Sequence, residues 1–410
     1  MERYQSYKDS GVQWLGEIPS HWKMIRNKSV LSLTNECVGD RTDITLLSLT
    51  KQGVIVRDLS EGKGKFPKDF ATYLVVEPKN LVFCLFDVDE TPRTVGLVRN
   101  YGMLTGAYTN FRVDESVVLP EYIYNYYLQI DDVKGLKPYY TGLRKVVKTN
   151  TFLQLRFPLP PLSEQQAIVS YLDDKCAKID KMINNKCVEL QLYREAIEAL
   201  IYDSTDSKHR QITSWERAFP IEWKLERGKA LFEEVKIKGL PTERFLAVTQ
   251  ERGLIYKDTD DVNFVTAEKK ETQKLVCPDQ YVISLRSFEG GIEYSDKRGL
   301  VSPAYVVIQL REGYDTSELK TYFRFLFKSK PFVQRLNTIS DSMRDGKSIK
   351  FSDIKGMLFP VPSEESLARI LSLVRLYDKK KSVFVKEKSL LLEYKQRLIS
   401  DVVTGQVKVC

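Results

Sequence analysis

The hydrophobic positions follow two regimes that alternate twice along the chain. Short-period stretches come first. Residues 43–50 (Asp-Ile-Thr-Leu-Leu-Ser-Leu-Thr) and 53–57 (Gly-Val-Ile-Val-Arg) read as strands around a Lys51-Gln52-Gly53 turn. Leu81–Phe86 reads as a buried strand, and Tyr108–Val113 alternates like another. Pro120–Leu128 shifts to helical spacing with proline in the first turn. Its Tyr122, Tyr124, Tyr126 and Tyr127 are expected to pack that helix onto the sheet. A long helical pattern then runs to about Asp203. Its apolar residues Leu172, Ile179, Ile183, Leu190, Ile197 and Ile201 are spaced 7, 4, 7, 7 and 4 apart, a heptad seam. Roughly 40 residues make about 60 Å of helix, and a seam of that length needs a partner.

The same sequence of regimes returns. Gly253–Lys257 and Tyr281–Arg286 read as strands, followed by Gly290-Gly291 and the strand-like Gly299–Leu310. Thr316–Phe327 is a second short helix. A distal long helix ends near Val403. Its seam is Ile370, Val374, Tyr377, Phe384, Leu391, Leu398 and Val402, at steps of 4, 3, 7, 7, 7 and 4. Lys381, Lys388 and Lys395 sit at alternate seam positions. They are expected to snorkel or to meet acidic groups. The two helices suit antiparallel pairing.

Each long helix opens at a Pro-rich stop, Phe157-Pro-Leu-Pro-Pro-Leu-Ser-Glu-Gln-Gln166 and Phe359-Pro-Val-Pro-Ser-Glu-Glu-Ser366, in which proline supplies no ladder hydrogen bond. Ser163 with Gln166 suits a capping box, and Ser363 is the expected second cap. Matches continue throughout. Ile18–Lys23 matches Phe219–Lys224, Leu47–Thr50 matches Leu246–Thr249, Pro78 matches Pro278, Ala107-Tyr108 matches Ala304-Tyr305, and Leu143-Arg144 matches Met343-Arg344, all at offsets of 197 to 202. The chain is therefore a duplicated domain. The expected architecture is α+β. Two homologous mixed α/β domains are separated by two long helices that form an antiparallel coiled-coil spacer, with pseudo-twofold symmetry. The expected boundaries are 1–160 (including a polar arm over 1–20), 161–205, 206–360 and 361–410.

Composition narrows the function. No stretch reaches the roughly 20 apolar residues of a membrane span, and the N-terminus lacks the apolar core of a signal peptide. A cytoplasmic protein with reduced thiols is expected from its 6 cysteines, none in a Cys-x-x-Cys pair. The balance of 63 basic and 55 acidic residues permits nucleic-acid binding without requiring it. Only 2 histidines, His21 and His209, are available, so a histidine-rich metal site or a Ser-His-Asp triad is hard to build. Basic loops recur at matching places: Arg144, Lys145 and Lys148 in the first half, Arg344, Lys347 and Lys350 in the second. These fit phosphate contacts. A solvated loop bonded to local carbonyls explains the same residues. Base-edge candidates are Lys51, Gln52, Arg93, Gln250, Glu251, Arg252, Arg286 and Ser287. The Gly290-Gly291 pair fits a tight turn.

Three stretches taken with the paired long helices carry a resemblance across essentially the whole chain. They are Ser10-Gly-Val-Gln-Trp-Leu-Gly-Glu-Ile-Pro-Ser-His-Trp-Lys23, Pro158-Leu-Pro-Pro-Leu-Ser-Glu-Gln-Gln-Ala-Ile168, and Tyr281–Gly291 with Val301-Ser-Pro-Ala-Tyr305. The chain resembles the specificity subunit of type I restriction–modification systems. It departs from the pattern at Phe86-Asp-Val-Asp-Glu-Thr-Pro-Arg93, where the second half has Arg286-Ser-Phe-Glu-Gly-Gly291, and its second Pro stop lacks the Gln pair. The resemblance implies two target-recognition domains, each reading half of a bipartite, asymmetric site in double-stranded DNA. It implies helices that measure the unread gap and dock two methyltransferase subunits, with restriction subunits in the full complex. It also implies no catalysis and no cofactor in this chain, since S-adenosylmethionine, ATP and Mg2+ serve the partners.

The rival classes are an enzyme and a protein-binding scaffold. A self-contained adenine methyltransferase needs an Asp/Asn-Pro-Pro-aromatic motif, and Pro160-Pro161 is followed by leucine. A nuclease needs clustered carboxylates; the nearest group, Asp87, Asp89 and Glu90, is not repeated in the second half. A coiled-coil scaffold that binds only protein shares the heptads and the charge, but has no need of two repeated domains with basic loops.

Overall fold

Two helices of 40 residues each, Leu162–Ile201 and Glu364–Val403, follow the two Pro-rich segments. The computed structural model describes residues 2–12, 14–57, 70–202, 215, 218–240, 242–250, 252–257, 270–339 and 349–409. By packing, the chain divides into two units. The first holds Met1–Asn185 with Lys386–Cys410, and the second holds Lys186–Val385. Half of each long helix thus packs with each globular body.

The main sheet is built twice in the same strand order. In the first unit a four-stranded antiparallel sheet runs in the order Leu31–Thr34, Thr109–Val113, Leu81–Phe83, Val95–Leu97. In the second the order is Phe232–Val235, Val306–Leu310, Tyr281–Ile283, Glu293–Tyr294. Each unit adds a hairpin, Leu47–Thr50 with Gly53–Val56 and Leu246–Thr249 with Gly253–Tyr256. Thr50 and Thr249 each close the hairpin turn by donating from Oγ1 to the carbonyl of the glycine at 53 or 253, at 3.0 and 2.8 Å. The glycines take positive φ there, 101° and 69°, as a turn of this kind requires.

The tyrosine-rich helix, Pro120–Asp132, lies on the first sheet. Tyr122, Tyr126 and Tyr127 are buried, and Tyr127 meets Phe83 edge to face with ring centroids 5.1 Å apart. Ser317–Leu326 does the same on the second sheet through Tyr322 and Phe323. Tyr122, Tyr126 and Tyr127 therefore build core, as expected, while Tyr124 is half-buried. Helix Lys330–Ile339 follows in the second unit and has no counterpart in the sequence reading.

Three expectations are corrected. The Pro-rich stops are themselves edge strands: Arg156–Leu159 pairs with Lys23–Arg26, and Leu358–Val361 with Lys224–Arg227. Each pair has only two strands, a place that tolerates proline. Ser163 does not cap the first helix. Pro161 occupies that position, its carbonyl accepting from Glu164 and Gln165 N–H at 2.9 Å. Ser363 does cap the second, accepting from Ser366 N–H at 3.3 Å. At the offset of 202 residues, Ser363 corresponds to Pro161 and not to Ser163. The N-terminal arm is folded as well. Tyr7–Asp9 and Glu17–Pro19 form a hairpin. Tyr7 Oη donates to Gly405 O at 3.0 Å, and Gln406 Nε2 donates to Glu17 O at 2.8 Å.

The first residues of each long helix receive a tryptophan from the repeated entry motif. Trp22 Nε1 donates to Glu164 at 3.0 Å, and Trp223 Nε1 to Ser366 at 3.2 Å. Glu164 also accepts from Tyr4 Oη and lies 2.8 Å from His21 Nε2, which gives His21 a structural place.

The heptad seam is visible inside each unit. In the first, Leu172 and Ile179 are buried, as are Leu398 and Val402 on the distal helix. Lys395 reaches Asp180 at 2.7 Å. In the second, Ile197, Ile201, Ile370, Val374, Tyr377 and Phe384 are buried, and Lys380 pairs with Glu189 at 2.5 Å. The registers within both units are antiparallel. Ile183, Leu190 and Leu391 are only half-buried. Lys395 finds the acidic partner foreseen for the seam lysines, while Lys381 and Lys388 stay exposed.

Candidate nucleic-acid interface

In the second unit, three residues named separately from the sequence come together. Gln250 and Arg252 stand exposed at the Thr249–Gly253 turn. Arg286 stands just past the strand Tyr281–Ile283, with its side chain 77% exposed. All three line an open cleft of about 410 Å³, together with Leu285 and Tyr305. A second depression of about 520 Å³ shares Ser284 and Leu285 in its lining and includes Lys350 and Lys355. Four cationic side chains and the half-exposed Leu285 thus flank one loop.

Glu293 and Gly291 in the cleft lining are held by local contacts. Glu293 is buried and pairs with Lys328 at 2.5 Å. Burial pushes its carboxyl above the usual range, while the ammonium of Lys328 opposes that shift. Lys328 also donates to Gln250 O at 3.1 Å. Gly291 has φ +82°, and a Cβ there would lie 2.0 Å from Phe327 O. Gly291 therefore serves a turn packed against the protein's own backbone.

Ser287 is corrected as a base-edge candidate. It is 1% exposed, and its Oγ accepts from Ser284 N–H at 2.9 Å, holding the loop's shape. Lys350 is exposed, and its N–H is bonded to Asp353 at 2.8 Å at the start of helix Phe351–Gly356. Arg344, Lys347 and Glu251 lie outside the described residues.

In the first unit, Lys51 and Gln52 are exposed at the matching hairpin turn. Arg93 is corrected. It bonds Asp131 and Asp132, both at 3.1 Å, and is 17% exposed. Asp131 also holds Lys134 at 2.9 Å and Thr94 N–H at 3.0 Å. Arg93 therefore fastens the strand Val95–Leu97 to the helix Pro120–Asp132. Arg144 and Lys148 are exposed. Lys145 lies between them but is paired with Asp89 at 2.9 Å and Glu90 at 2.6 Å. The backbone zips the same two loops together: Asp87 N–H donates to Arg144 O at 2.9 Å, and Val147 N–H to Leu85 O at 2.8 Å. Asp87 and Lys145 both take φ +47°, a conformation uncommon for residues with a Cβ.

The two units differ where their sequences part. Phe86 stacks on Tyr108, with ring centroids 6.3 Å apart and planes 14° apart. At the matching positions the second unit has Arg286 and Tyr305 lining its cleft. Sequence reasoning missed Glu289, Tyr305 and Lys355. The i, i+3 spacing of Arg286 and Glu289 was a usable signal for the first of these. Among the described residues, no group of three or more His, Cys, Asp or Glu side chains is placed to hold a metal ion. No described helix is long and apolar enough to cross a membrane.

Comparison with known proteins fits this geometry. Residues 101–189 match the family model of the type I restriction modification DNA specificity domain. That segment runs from the strand Gly102–Leu104 into the first long helix. Among solved structures, the chain is similar to one described under the structural basis of complex assembly and conformational transition of the type I R-M system. The identity is 13% and the TM-score 0.54, over 95% of this chain and 99% of that one. It is also similar to the HsdS subunit from Thermoanaerobacter tengcongensis, at 15% identity and TM-score 0.37 over 95% and 98% of the two chains. A third similar chain is the type I restriction–modification S subunit from M. genitalium, at 14% identity and TM-score 0.43 over 93% and 96%. Comparison with curated proteins gives no significant match. The first of these likenesses, over nearly the full length of both chains, shows a shared fold. Residues 101–189 are therefore similar to the type I restriction modification DNA specificity domain, the family that the sequence resembles.

Proposed function

We propose that this protein is a sequence-specific DNA-binding specificity subunit whose two units each read one half of a bipartite, asymmetric duplex site. The observation that carries the reading is the repeated topology. The same sheet order is built twice, and each copy presents exposed basic or amide side chains at the matching hairpin turn, Lys51 and Gln52 in one, Gln250 and Arg252 in the other. Phosphate contacts fall to Arg144, Lys148, Lys350 and Lys355, which set register without reading sequence. Base edges fall to Lys51, Gln52, Gln250, Arg252 and Arg286 in the major groove.

In this reading the long helices set the unread gap and dock two methyltransferase subunits. The exposed apolar residues Leu390 and Leu392 of the first unit, and Leu192 and Val385 of the second, are the surface assigned to docking. The methyltransferase partners carry S-adenosylmethionine and the adenine N6 chemistry. Restriction subunits add ATP and Mg2+. This chain performs no catalysis, and it acts in the cytoplasm.

The test is co-expression with a type I methyltransferase subunit from the same genome, followed by sequencing that maps N6-methyladenine. A split motif with a fixed unread gap is the expected result. A stable complex that methylates at a single unsplit motif overturns the bipartite reading. Failure to bind duplex DNA at low salt favours the scaffold reading instead.

A further inference from the structure

One carboxylate oxygen stands beside both of the planar side chains that flank the cleft of the second unit. Gln250 Nε2 donates to Glu289 Oε2 at 3.2 Å. Arg286 Nε lies 3.9 Å from the same oxygen. Glu289 belongs to the short turn of helix Ser287–Gly290, whose start is fixed by the buried Ser287 and whose end is fixed by Gly291 against Phe327 O. The carboxylate is thus mounted on a rigid base, while the two side chains come from different loops.

Gly290 makes room for this arrangement. A Cβ at Gly290 would lie 2.7 Å from Gln250 Cγ and 2.9 Å from its Cδ. Any side chain there would push Gln250 out of its seat.

We infer that Glu289 is a positioning residue. It holds Arg286 and Gln250 side by side, so that they read a guanine and an adenine at neighbouring base pairs of the half-site contacted by the second unit. This rests on the DNA reading proposed above and deepens it. The chemistry follows from the groups left over. The Nη atoms of Arg286 form a donor fork, which matches guanine O6 and N7. Gln250 keeps Oε1 and one amide hydrogen, the acceptor–donor pair that matches adenine N6 and N7. Both side chains face one oxygen, which sets them on the scale of one or two base-pair rises of about 3.4 Å. A side chain already held in place loses less freedom on binding. The first unit, with Phe86 stacked on Tyr108 at the matching place, lacks this pair and reads its half-site by other means.

The experiment is selection from a random duplex library by the full chain in complex with its methyltransferase, followed by sequencing of the bound fraction. The wild-type motif is expected to contain a guanine and an adenine at neighbouring base pairs, on either strand, within one half-site. Arg286→Ala should blur only the guanine and Gln250→Ala only the adenine, each by roughly tenfold or more in base discrimination. Glu289→Ala should blur both together while affinity for unrelated duplex stays within about twofold and thermal unfolding is unchanged. Glu289→Gln keeps an acceptor for Gln250 but loses the charge facing Arg286. It should spare the adenine and weaken the guanine. Gly290→Ala should blur the adenine alone.

A motif left intact by Arg286→Ala overturns the inference. So does a Glu289→Ala variant that lowers affinity uniformly with every base preference retained, since that is a structural role. Duplex binding by the wild type without any enriched motif overturns the underlying DNA-specificity reading as well. A split motif with no neighbouring guanine and adenine overturns this inference alone.

Discussion

The ammonium of Lys145 is held 2.6 Å from the carboxylate of Glu90, with Asp89 on its other side at 2.9 Å. A basic residue placed by sequence among phosphate contacts is thereby neutralised by its own domain. Glu90 and Asp89 both raise the pKa of Lys145, and Lys145 in turn lowers that of Asp89. The consequence is specific. Lys145→Gln alone should change duplex affinity by less than about twofold, whereas Arg144→Gln and Lys148→Gln should each weaken binding and reduce the salt slope by about one. The double variant Asp89→Asn with Glu90→Gln should tighten binding, and Lys145→Gln in that background should then matter. Fluorescence anisotropy against a labelled duplex at several salt concentrations reads all of these. The carboxyl of Asp89 has a folded-state pKa below its unfolded value. Its contribution to the loop clamp is therefore present above about pH 3.9 and is lost as pH falls further.

Arg93 gives the opposite result from the one its sequence position suggests. Removing it leaves Asp131, 2% exposed, with one cationic partner fewer. Arg93→Ala should destabilise the first unit by about 3 kcal/mol and leave base preference unchanged in the surviving folded fraction. Urea unfolding together with selection from random duplexes checks both halves. A relaxed base preference at full stability would return Arg93 to the interface.

These two residues show how far sequence carries. The duplication was legible, because matched strands need matched patterns, and the offsets of Trp22 to Trp223 and Phe157 to Phe359 survive in the fold as matched contacts. Arg93 was not legible as a structural residue, because Asp131 lies on a helix 38 residues later and nothing local marks the pair. The stretch 1–20 read only as a polar arm because two of its hydrogen-bond partners, Gly405 and Gln406, lie about 400 positions away. Gln250 belongs to a different loop from Arg286 and Glu289, and only the fold brings it to the other two. The cap was misread for a simpler reason. A serine two residues inside a helix satisfies the same local pattern as a serine at its cap.

The entry tryptophans supply a paired stability test. Glu164 accepts from buried Trp22, and Ser366 accepts from Trp223 in the other unit. Glu164→Ala leaves the Trp22 N–H unsatisfied and also releases Tyr4 and His21. A loss of about 1–3 kcal/mol is expected. Ser366→Ala removes one neutral hydrogen bond and should cost about 1 kcal/mol. Equal losses in urea unfolding would show that the extra partners of Glu164 contribute nothing.

The seam should be strong at its ends and weak in its middle. Leu172 is 1% exposed and packs among Leu398, Ile399 and Val402, so Leu172→Ala should cost about 2–5 kcal/mol. Leu190 is only half-buried, and its truncation should cost about 1 kcal/mol. Lys395→Gln breaks a largely surface pair with Asp180 and should cost less than about 1 kcal/mol. A Leu190→Ala loss as large as that of Leu172→Ala would contradict this grading.

The proposal that the helices set the unread gap makes a geometric prediction. Seven residues inserted into both helices, after Asn185 and after Val385, fall at the division between the units. Seven residues preserve the heptad seam and add about 10.5 Å of helix, or about three base pairs at about 3.4 Å each. The variant should methylate the same two half-sites with the gap lengthened by about three base pairs. Five residues instead turn the seam by about 140° at about 100° per residue, so that the apolar stripes no longer meet and activity should fall. Mapping N6-methyladenine in cells that carry each variant distinguishes the outcomes. Half-sites retained at the original gap after the seven-residue insertion would mean that something other than the helices sets the spacing.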